Sequence, residues 1–254
     1  MRAIILAAGR GQRLQQPEDR QVPKCLLRFG GKSLLERHFL ALRECGVAEV
    51  VLALGFKHGL VEAELERMRA VPRPEIVINT AFELGSVLTV HTAAEPLTRG
   101  GEVLLMDADV LYHTRIMEAL VAGGRATNRL LLDRDFEPGD EPVKLCLRRG
   151  VPVELRKRLA PDLEYDRIGE SVGFFRFDER GARRLAELVA GYVARGASDM
   201  PHEEAVRDLI RERGQAFDVA DVTGLPWIEI DFPNDVARAE REILPELDAS
   251  GAMI

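Results

Sequence analysis

What this chain lacks removes several functions at once. It has three cysteines in 254 residues, Cys25, Cys45 and Cys146, odd in number and far apart. No CxxC pair and no Cys/His spacing points to zinc, and a disulfide framework is not expected. The three read as reduced thiols in a cytoplasmic protein. Cys25 adjoins Lys24, which leaves open either a thiol of lowered pKa or a packed small residue. Runs of basic residues and basic stretches interleaved with aromatics are missing, and the formal net charge is −7, so nucleic acid is not an expected partner. Long apolar runs are missing too. The N-terminal one, Arg2–Ala8, is too short for a signal peptide or a membrane span, and no membrane association is expected. His58, His91 and His202 have no neighbours at ligand spacing, so no histidine chemistry is assigned. There is no internal repeat and no low-complexity linker.

What is present is an ordinary globular composition, 46% hydrophobic and 30% charged, on a chain long enough to bury a sizeable core. Residues 2–8 read as a buried strand and 9–24 as a long polar loop, and loops of that length usually carry function. Ser33-Leu34-Leu35-Glu36 is a capping box that opens a helix to about Cys45. Glu49–Leu54 is a strand, a charged helix runs to about Arg69, Pro72 and Pro74 break it, and Glu75–Asn79 is a strand again. Gly85-Ser86 opens a helix to about Glu95. Glu102–Met106 is a fourth strand, and Thr114 caps a helix to Ala122. Strand–helix alternation of this kind predicts a doubly wound α/β sheet with right-handed crossovers. The alternation breaks at Arg129–Asp133, Val143–Leu147 and Val153–Leu155, which read as short strands of an inserted section. Val172–Phe177 is a strand, and Glu179–Arg195 and His202–Arg213 are helices. Strands near Phe217–Val219 and Trp227–Ile230 precede a last helix, and the final residues fray.

Ligands of such sheets bind beyond the carboxyl ends of the strands, where the chemistry-bearing residues fall. Gly9 and Gly11 follow the first strand, with Arg13 and Lys24 close behind. Small residues there let phosphate approach backbone N–H groups, and the two cations add fixed charge. The third small residue of a dinucleotide fingerprint is replaced by Leu14, which argues against a nicotinamide cofactor. Asp107 and Asp109 end another strand. By strand alternation they could share a face and hold Mg²⁺ beside a triphosphate, or serve as turn and cap residues. Asp231 completes a metal site or caps the last helix. Glu170 is either a substrate contact or an edge-strand charge. Lys144, Arg156, Lys157 and Arg158 are candidate phosphate contacts.

Leu6-Ala7-Ala8-Gly9-x-Gly11-x-Arg13-Leu14 with Pro23-Lys24-x-Leu26 resembles the signature of the sugar-phosphate-type nucleotidyltransferases. Asp107-Ala108-Asp109-Val110 and Ile230-Asp231-Phe232-Pro233-Asn234-Asp235 resemble their two metal-site segments. Within that superfamily the likeness is to the bacterial phosphocholine cytidylyltransferase group, on the Asp-Ala-Asp-Val form and the Asn79…Gly85-Ser86 segment. The resemblance implies a Rossmann-like, doubly wound, mixed but mainly parallel sheet with an inserted acceptor-binding subdomain. It implies one domain over 1–248, with a nucleotide-binding half to about 125, an acceptor-binding half from about 126, and a tail at 249–254. It implies a cytidylyltransferase that joins CTP to a small phosphate- or phosphonate-bearing acceptor with Mg²⁺, and a homodimer is plausible. Leu6, Ala7, Ala8, Gly9, Asn79, Gly85, Ser86 and Asp107 would hold the nucleoside, and Gly11, Arg13 and Lys24 the phosphates. Arg13, Lys24 and Asp109 would be catalytic, Asp109 and Asp231 would bind the metal, and Lys144, Lys157 and Glu170 would face the acceptor. The acceptor-side section is poor in the aromatics that cage a quaternary ammonium. Acids such as Asp133, Asp135 and Glu170 could hold an amine or hydroxyls there instead. A UTP- or GTP-dependent sugar-1-phosphate enzyme and a non-catalytic nucleotide-binding domain are the rival readings.

Overall fold

The computed structural model describes residues 1–15, 21–71, 73–124 and 128–249. Pro72, part of the 9–24 loop and nearly all of the tail lie outside the described residues. In chain order the strands are β1 (Arg2–Ala7), β2 (Arg28–Phe29), β3 (Lys32–Ser33), β4 (Glu49–Leu54), β5 (Glu75–Ile78), β6 (Val103–Asp107) and β7 (Val110–Tyr112). They continue with β8 (Asn128–Leu132), β9 (Lys144–Arg148), β10 (Val151–Arg156), β11 (Arg167–Glu170), β12 (Phe174–Phe177), β13 (Phe217–Asp221) and β14 (Trp227–Glu229). The helices used below are α1 (Leu34–Glu44), α2 (His58–Met68), α3 (Ser86–Thr92), α4 (Ala94–Thr98), α5 (Thr114–Val121), α6 (Glu179–Ala194), α7 (His202–Arg213) and α8 (Pro233–Arg238).

A seven-stranded sheet in the order β13-β8-β12-β6-β1-β4-β5 organises the chain. All its pairings are parallel except those of β12, which runs antiparallel to both neighbours. The mixed, mainly parallel doubly wound sheet is as expected. β1 is buried at every residue because both faces are covered, and its side chains divide between two cores by simple alternation. Ala3, Ile5 and Ala7 enter one core with α1, α2 and α5, whereas Ile4 and Leu6 enter the other with α3, α4, α6 and α7. A third, smaller cluster joins Leu14, Phe29 and Leu34 to Leu111, Ile228 and Ile230. It fastens the segment after β14 beneath the loop after β1. Among the described residues no helix is long and apolar enough to cross a membrane.

Four local expectations change. Residues 128–132 are a strand of the main sheet, and the separate small sheet is β10-β9-β11. The strand expected over Val172–Phe177 is shorter: β12 starts at Phe174 in the main sheet, and the residues just before it form a separate strand, β11, which ends at Glu170 in the small sheet. Gly173 makes the crossing at φ +79°, a left-handed backbone that glycine adopts at least cost. The helix opened by Ser86 stops at Thr92, and a second one starts at Ala94. His113, not Thr114, caps α5, its ring nitrogen accepting from the Arg115 N–H at 3.1 Å. Ser33 caps α1 as the capping box predicts, accepting from the Glu36 N–H at 3.1 Å.

Gly85 shows how tightly the sheet's upper rim is closed. Its N–H donates to the Ser198 carbonyl at 2.9 Å, and a Cβ there would stand 2.1 Å from the Met200 carbonyl oxygen. Gly85→Ala must push α3 away from the chain leading into α7. Overpacking of this kind costs about 1–3 kcal/mol. In a protein of this size that lowers the melting temperature by roughly 3–10 °C, measured by thermal denaturation.

Candidate active site

A cleft of about 480 Å³ opens over the carboxyl ends of β1 and β6. Its wall begins where β1 stops, at Ala7, Ala8 and Gly9. Gly11 follows at φ +64°, and a Cβ on it would stand 3.0 Å from the Lys24 side chain. Glycine here lets Lys24 lie across the loop. Buried Leu14 anchors the short turn Gln12–Leu14 in the third apolar cluster, which leaves Arg13 facing the cleft.

Lys24 is the centre of the charge arrangement. Its Nζ donates to Asp109 at 2.7 Å and to Asp231 at 2.6 Å, and Arg13 donates to the same Asp231 oxygen at 2.7 Å. Burial works against the Lys24 ammonium, but Asp109 and Asp231 outweigh it and hold its pKa above the ordinary lysine value. Glu229 joins these acids. One ligand atom each from Asp109, Glu229 and Asp231 lie within 4.8 Å of one another. Enclosure in the cleft, then Asp109 and Asp231, push the Glu229 carboxyl well above its usual range. Three hard oxygen donors crowded so closely fit a divalent cation such as Mg²⁺.

Asp107 and Asp109 do not share a face. β6 ends at Asp107 and the chain bends through Ala108 and Asp109, so strand alternation no longer governs the second acid. Asp109 joins Glu229 and Asp231, whereas Asp107 joins His202 and Glu203 in a separate group. Burial, then Glu203 and Asp109, raise the Asp107 carboxyl well above its usual range. Nor does Asp231 cap the last helix: Phe232 stands at the cap, and the Asp235 carboxylate accepts the Asp231 and Phe232 N–H groups at 3.0 and 2.7 Å.

Other expected residues divide. Leu6, Ser86 and Lys157 line the cleft with Gly9, Gly11, Arg13 and Lys24. Asn79 is 2% exposed and turned inward, bonding Thr89 Oγ1 at 3.0 Å and the Ala81 N–H at 2.9 Å. Its role is to hold the rim, as is that of Gly85. Lys144 donates to the carbonyls of Gly139 and Lys157, both at 2.6 Å, and so braces a loop rather than lining the cleft. Glu170 lies behind the wall, where burial and then Asp133 push its carboxyl up to about 7. The sequence reading missed Glu229, His202, Glu203 and Glu141. A signal existed for Glu229, since alternation along Trp227–Asp231 places it on the face of Asp231. The other three arrive from distant segments with no local mark.

Fold and site together define an α/β protein whose strand-end cleft brings a glycine loop and two cations against clustered carboxylates. The chain belongs to the family of the MobA-like NTP transferase domain, matched over residues 3–173. It is 27% identical, over 96% of its length and 39% of the relative's, to the CMP-5'-(3-aminopropyl)phosphonate synthase of Streptomyces rubellomurinus. The inositol-1-phosphate CTP transferase of T. maritima has the same fold, with TM-score 0.77, 21% identity, and 97% of this chain and 96% of that one covered. So does the CTP:phosphocholine cytidylyltransferase of Streptococcus pneumoniae, with TM-score 0.67, 20% identity, and 94% and 97% covered. The chain spans about half or less of the length of the first curated relatives it matches.

Cys25, beside Lys24, is a packed residue. It is 2% exposed, and burial, then Asp109, push its thiol up to about 12. At pH 8 only about one thiol in 10⁴ would be the reactive thiolate. Iodoacetamide should therefore modify Cys25 at least about 100-fold more slowly in the folded protein than in denaturant, as followed by mass spectrometry of the peptide.

Proposed function

We propose that this chain is a divalent-metal-dependent cytidylyltransferase. It would transfer CMP from CTP to a small acceptor bearing a phosphate or phosphonate and release pyrophosphate. The observation that carries the reading is the convergence of Arg13 and Lys24 on Asp109 and Asp231, from three separated parts of the chain, at the rim where β1 delivers its glycine loop. A binding module has no need of a cation so placed between carboxylates. The preference for CTP rests on the activities for which the relatives above are named. A cytoplasmic location belongs to the same reading and agrees with three unpaired cysteines.

In this mechanism an acceptor oxygen attacks the α-phosphorus in line, a new P–O bond forms, and the bond to pyrophosphate breaks. The acceptor phosphate is already ionised near neutral pH, its second pKa being about 6, so no general base is required. Loop N–H groups around Gly9 and Gly11 would cradle the triphosphate. Lys24 exchanges its carboxylate partners for phosphate oxygens, and Arg13 helps neutralise the leaving pyrophosphate. A divalent cation held by Asp109, Glu229 and Asp231 would supply further neutralisation of phosphate charge. Glu141 marks where an anion sits. One of its oxygens stands 3.1 Å from both Arg13 Nη1 and Lys157 Nζ, an anionic seat that a substrate phosphate would take over.

Pyrophosphate release with Mg²⁺, crossing the four common NTPs with phosphorylated alcohols and amines, phosphonates and sugar 1-phosphates, tests the reading. Turnover with CTP and a non-sugar acceptor is expected. Turnover only with UTP or GTP and a sugar 1-phosphate would move the chain to that branch. Asp109→Ala and Lys24→Ala should each lower kcat by at least about 100-fold. Full activity in Asp109→Ala would overturn the metal assignment. Glu141→Gln, which removes the competing anion, should lower the KM for the acceptor several-fold.

A further inference from the structure

Arg13 is held by three contacts, and the transfer chemistry uses the groups of only two. Its Nη2 donates to Asp231 at 2.7 Å and its Nη1 to Glu141 at 3.1 Å. The third contact is an aromatic ring: the guanidinium carbon lies over Phe232, 5.2 Å from the ring centroid. A cation within about 6 Å of a ring centroid is attracted by the negative face of the ring. Edge and face are separate resources of an arginine. The N–H groups radiate in its plane toward carboxylates or phosphates, and the face stays available to an aromatic.

Phe232 is placed to keep its ring still. It stands at the cap of α8 with an extended backbone, φ −121° and ψ 162°. Pro233 follows, and a proline favours that conformation in the residue before it. The Phe232 N–H donates to the Asp235 carboxylate at 2.7 Å, and its carbonyl accepts the Asp235 N–H at 3.0 Å. With both backbone groups tied and the side chain half-buried, little freedom is left to the ring. Arg13 is the opposite case. Its side chain is long, rich in rotamers and 46% accessible.

The two carboxylates are not lasting partners. Asp231 is one of the three acids grouped for a cation, and Glu141 occupies the seat that a substrate phosphate would take. Once Asp231 serves a cation and Glu141 yields to phosphate, Arg13 has lost both. The Phe232 side chain has no ligand atom for a metal and no group for a phosphate to displace. Of the three contacts it is the one that substrate binding does not consume.

We propose that Phe232 is a positioning residue, whose ring keeps the Arg13 guanidinium over the cleft after its carboxylate partners are released. The N–H edge of Arg13 then meets the pyrophosphate as charge develops on it, and Phe232 itself touches no reacting atom. The proposal rests on the nucleotidyl-transfer reading above and adds a residue to it.

The test compares Phe232→Leu, which keeps apolar bulk without the ring, with Phe232→Tyr, which keeps the ring. With CTP, Mg²⁺ and the acceptor that turnover identifies, kcat is expected to fall about tenfold in Phe232→Leu. The KM of the acceptor should stay within about twofold, because the lost interaction belongs to the transition state. Phe232→Tyr is expected to keep kcat within about twofold of the parent. In an Arg13→Ala background Phe232→Leu should cost no more than about a further twofold, since the ring acts through the arginine. Calorimetry with inorganic pyrophosphate and no added metal reads the same contact without turnover. Affinity is expected to fall about fivefold in Phe232→Leu and to hold in Phe232→Tyr. Equal losses in the two variants, or a full tenfold loss persisting in Arg13→Ala, overturn the proposal and leave nucleotidyl transfer intact. So does a rise in the Mg²⁺ requirement of Phe232→Leu that matches its loss of activity, because the ring would then act through Asp231. No turnover with any acceptor and any NTP overturns the transfer reading, and this proposal with it.

Discussion

The structure depends on one ammonium group held between two carboxylates. Lys24 comes from the loop after β1, Asp109 from the bend after β6, and Asp231 from the residue pair after β14. Each of these groups is largely withdrawn from water, with side chains 14%, 19% and 10% accessible. Charges so placed are stable only when paired, and removing one partner leaves the others uncompensated. Lys24 thus holds Asp109 and Asp231 together beside Glu229.

Apolar packing brings these distant segments to one point. Leu14 sits one residue from Arg13, and Ile230 one residue from Asp231, and both belong to the same small cluster. The backbone confirms the junction, since the Ile230 N–H donates to the Asp109 carbonyl at 2.9 Å. Beneath the bend lies an aromatic floor. His38 stands 3.3 Å from the Tyr112 hydroxyl, and Phe174 meets both rings edge-on or nearly so. Burial drives the His38 pKa down to about 4, so it stays neutral and packs as part of the core. Charge is thereby confined to the upper side of the bend.

Much of this was legible in the residues. An apolar run without alternation marks a strand covered on both faces, which is why β1 and β4 could be placed at once. Arg13, Lys24, Asp109 and Asp231 were legible because each follows an apolar strand or a glycine loop, where polar residues have no packing purpose. Asn79 and Lys144 misled for the same reason in reverse: a polar residue at a strand end can spend its groups on nearby backbone, and sequence does not show which. The break at Gly173 was hidden because Val172, Phe174, Phe175 and Phe177 are all apolar, and apolar character does not say which of two sheets a residue enters. His202 and Glu203 were invisible as site residues, since their partner Asp107 lies far away in the chain.

The bend at Ala108 has the larger consequence. Had β6 continued for two more residues, Asp107 and Asp109 would lie on one face and compete for one cation. Instead Gly173 crosses so close that a Cβ on it would stand 2.6 Å from Asp107 Oδ2, and its carbonyl accepts the Asp107 N–H at 3.2 Å. Asp107 is held toward α7, and Asp109 is released toward β14. One Asp-Ala-Asp segment thereby supplies two acidic groups of different character: an all-oxygen set crossed by a lysine, and a set with an imidazole and no protein cation among its ligands. Different surroundings favour different positive partners. The backbone at a single strand end thus divides one cleft into two electrostatic compartments.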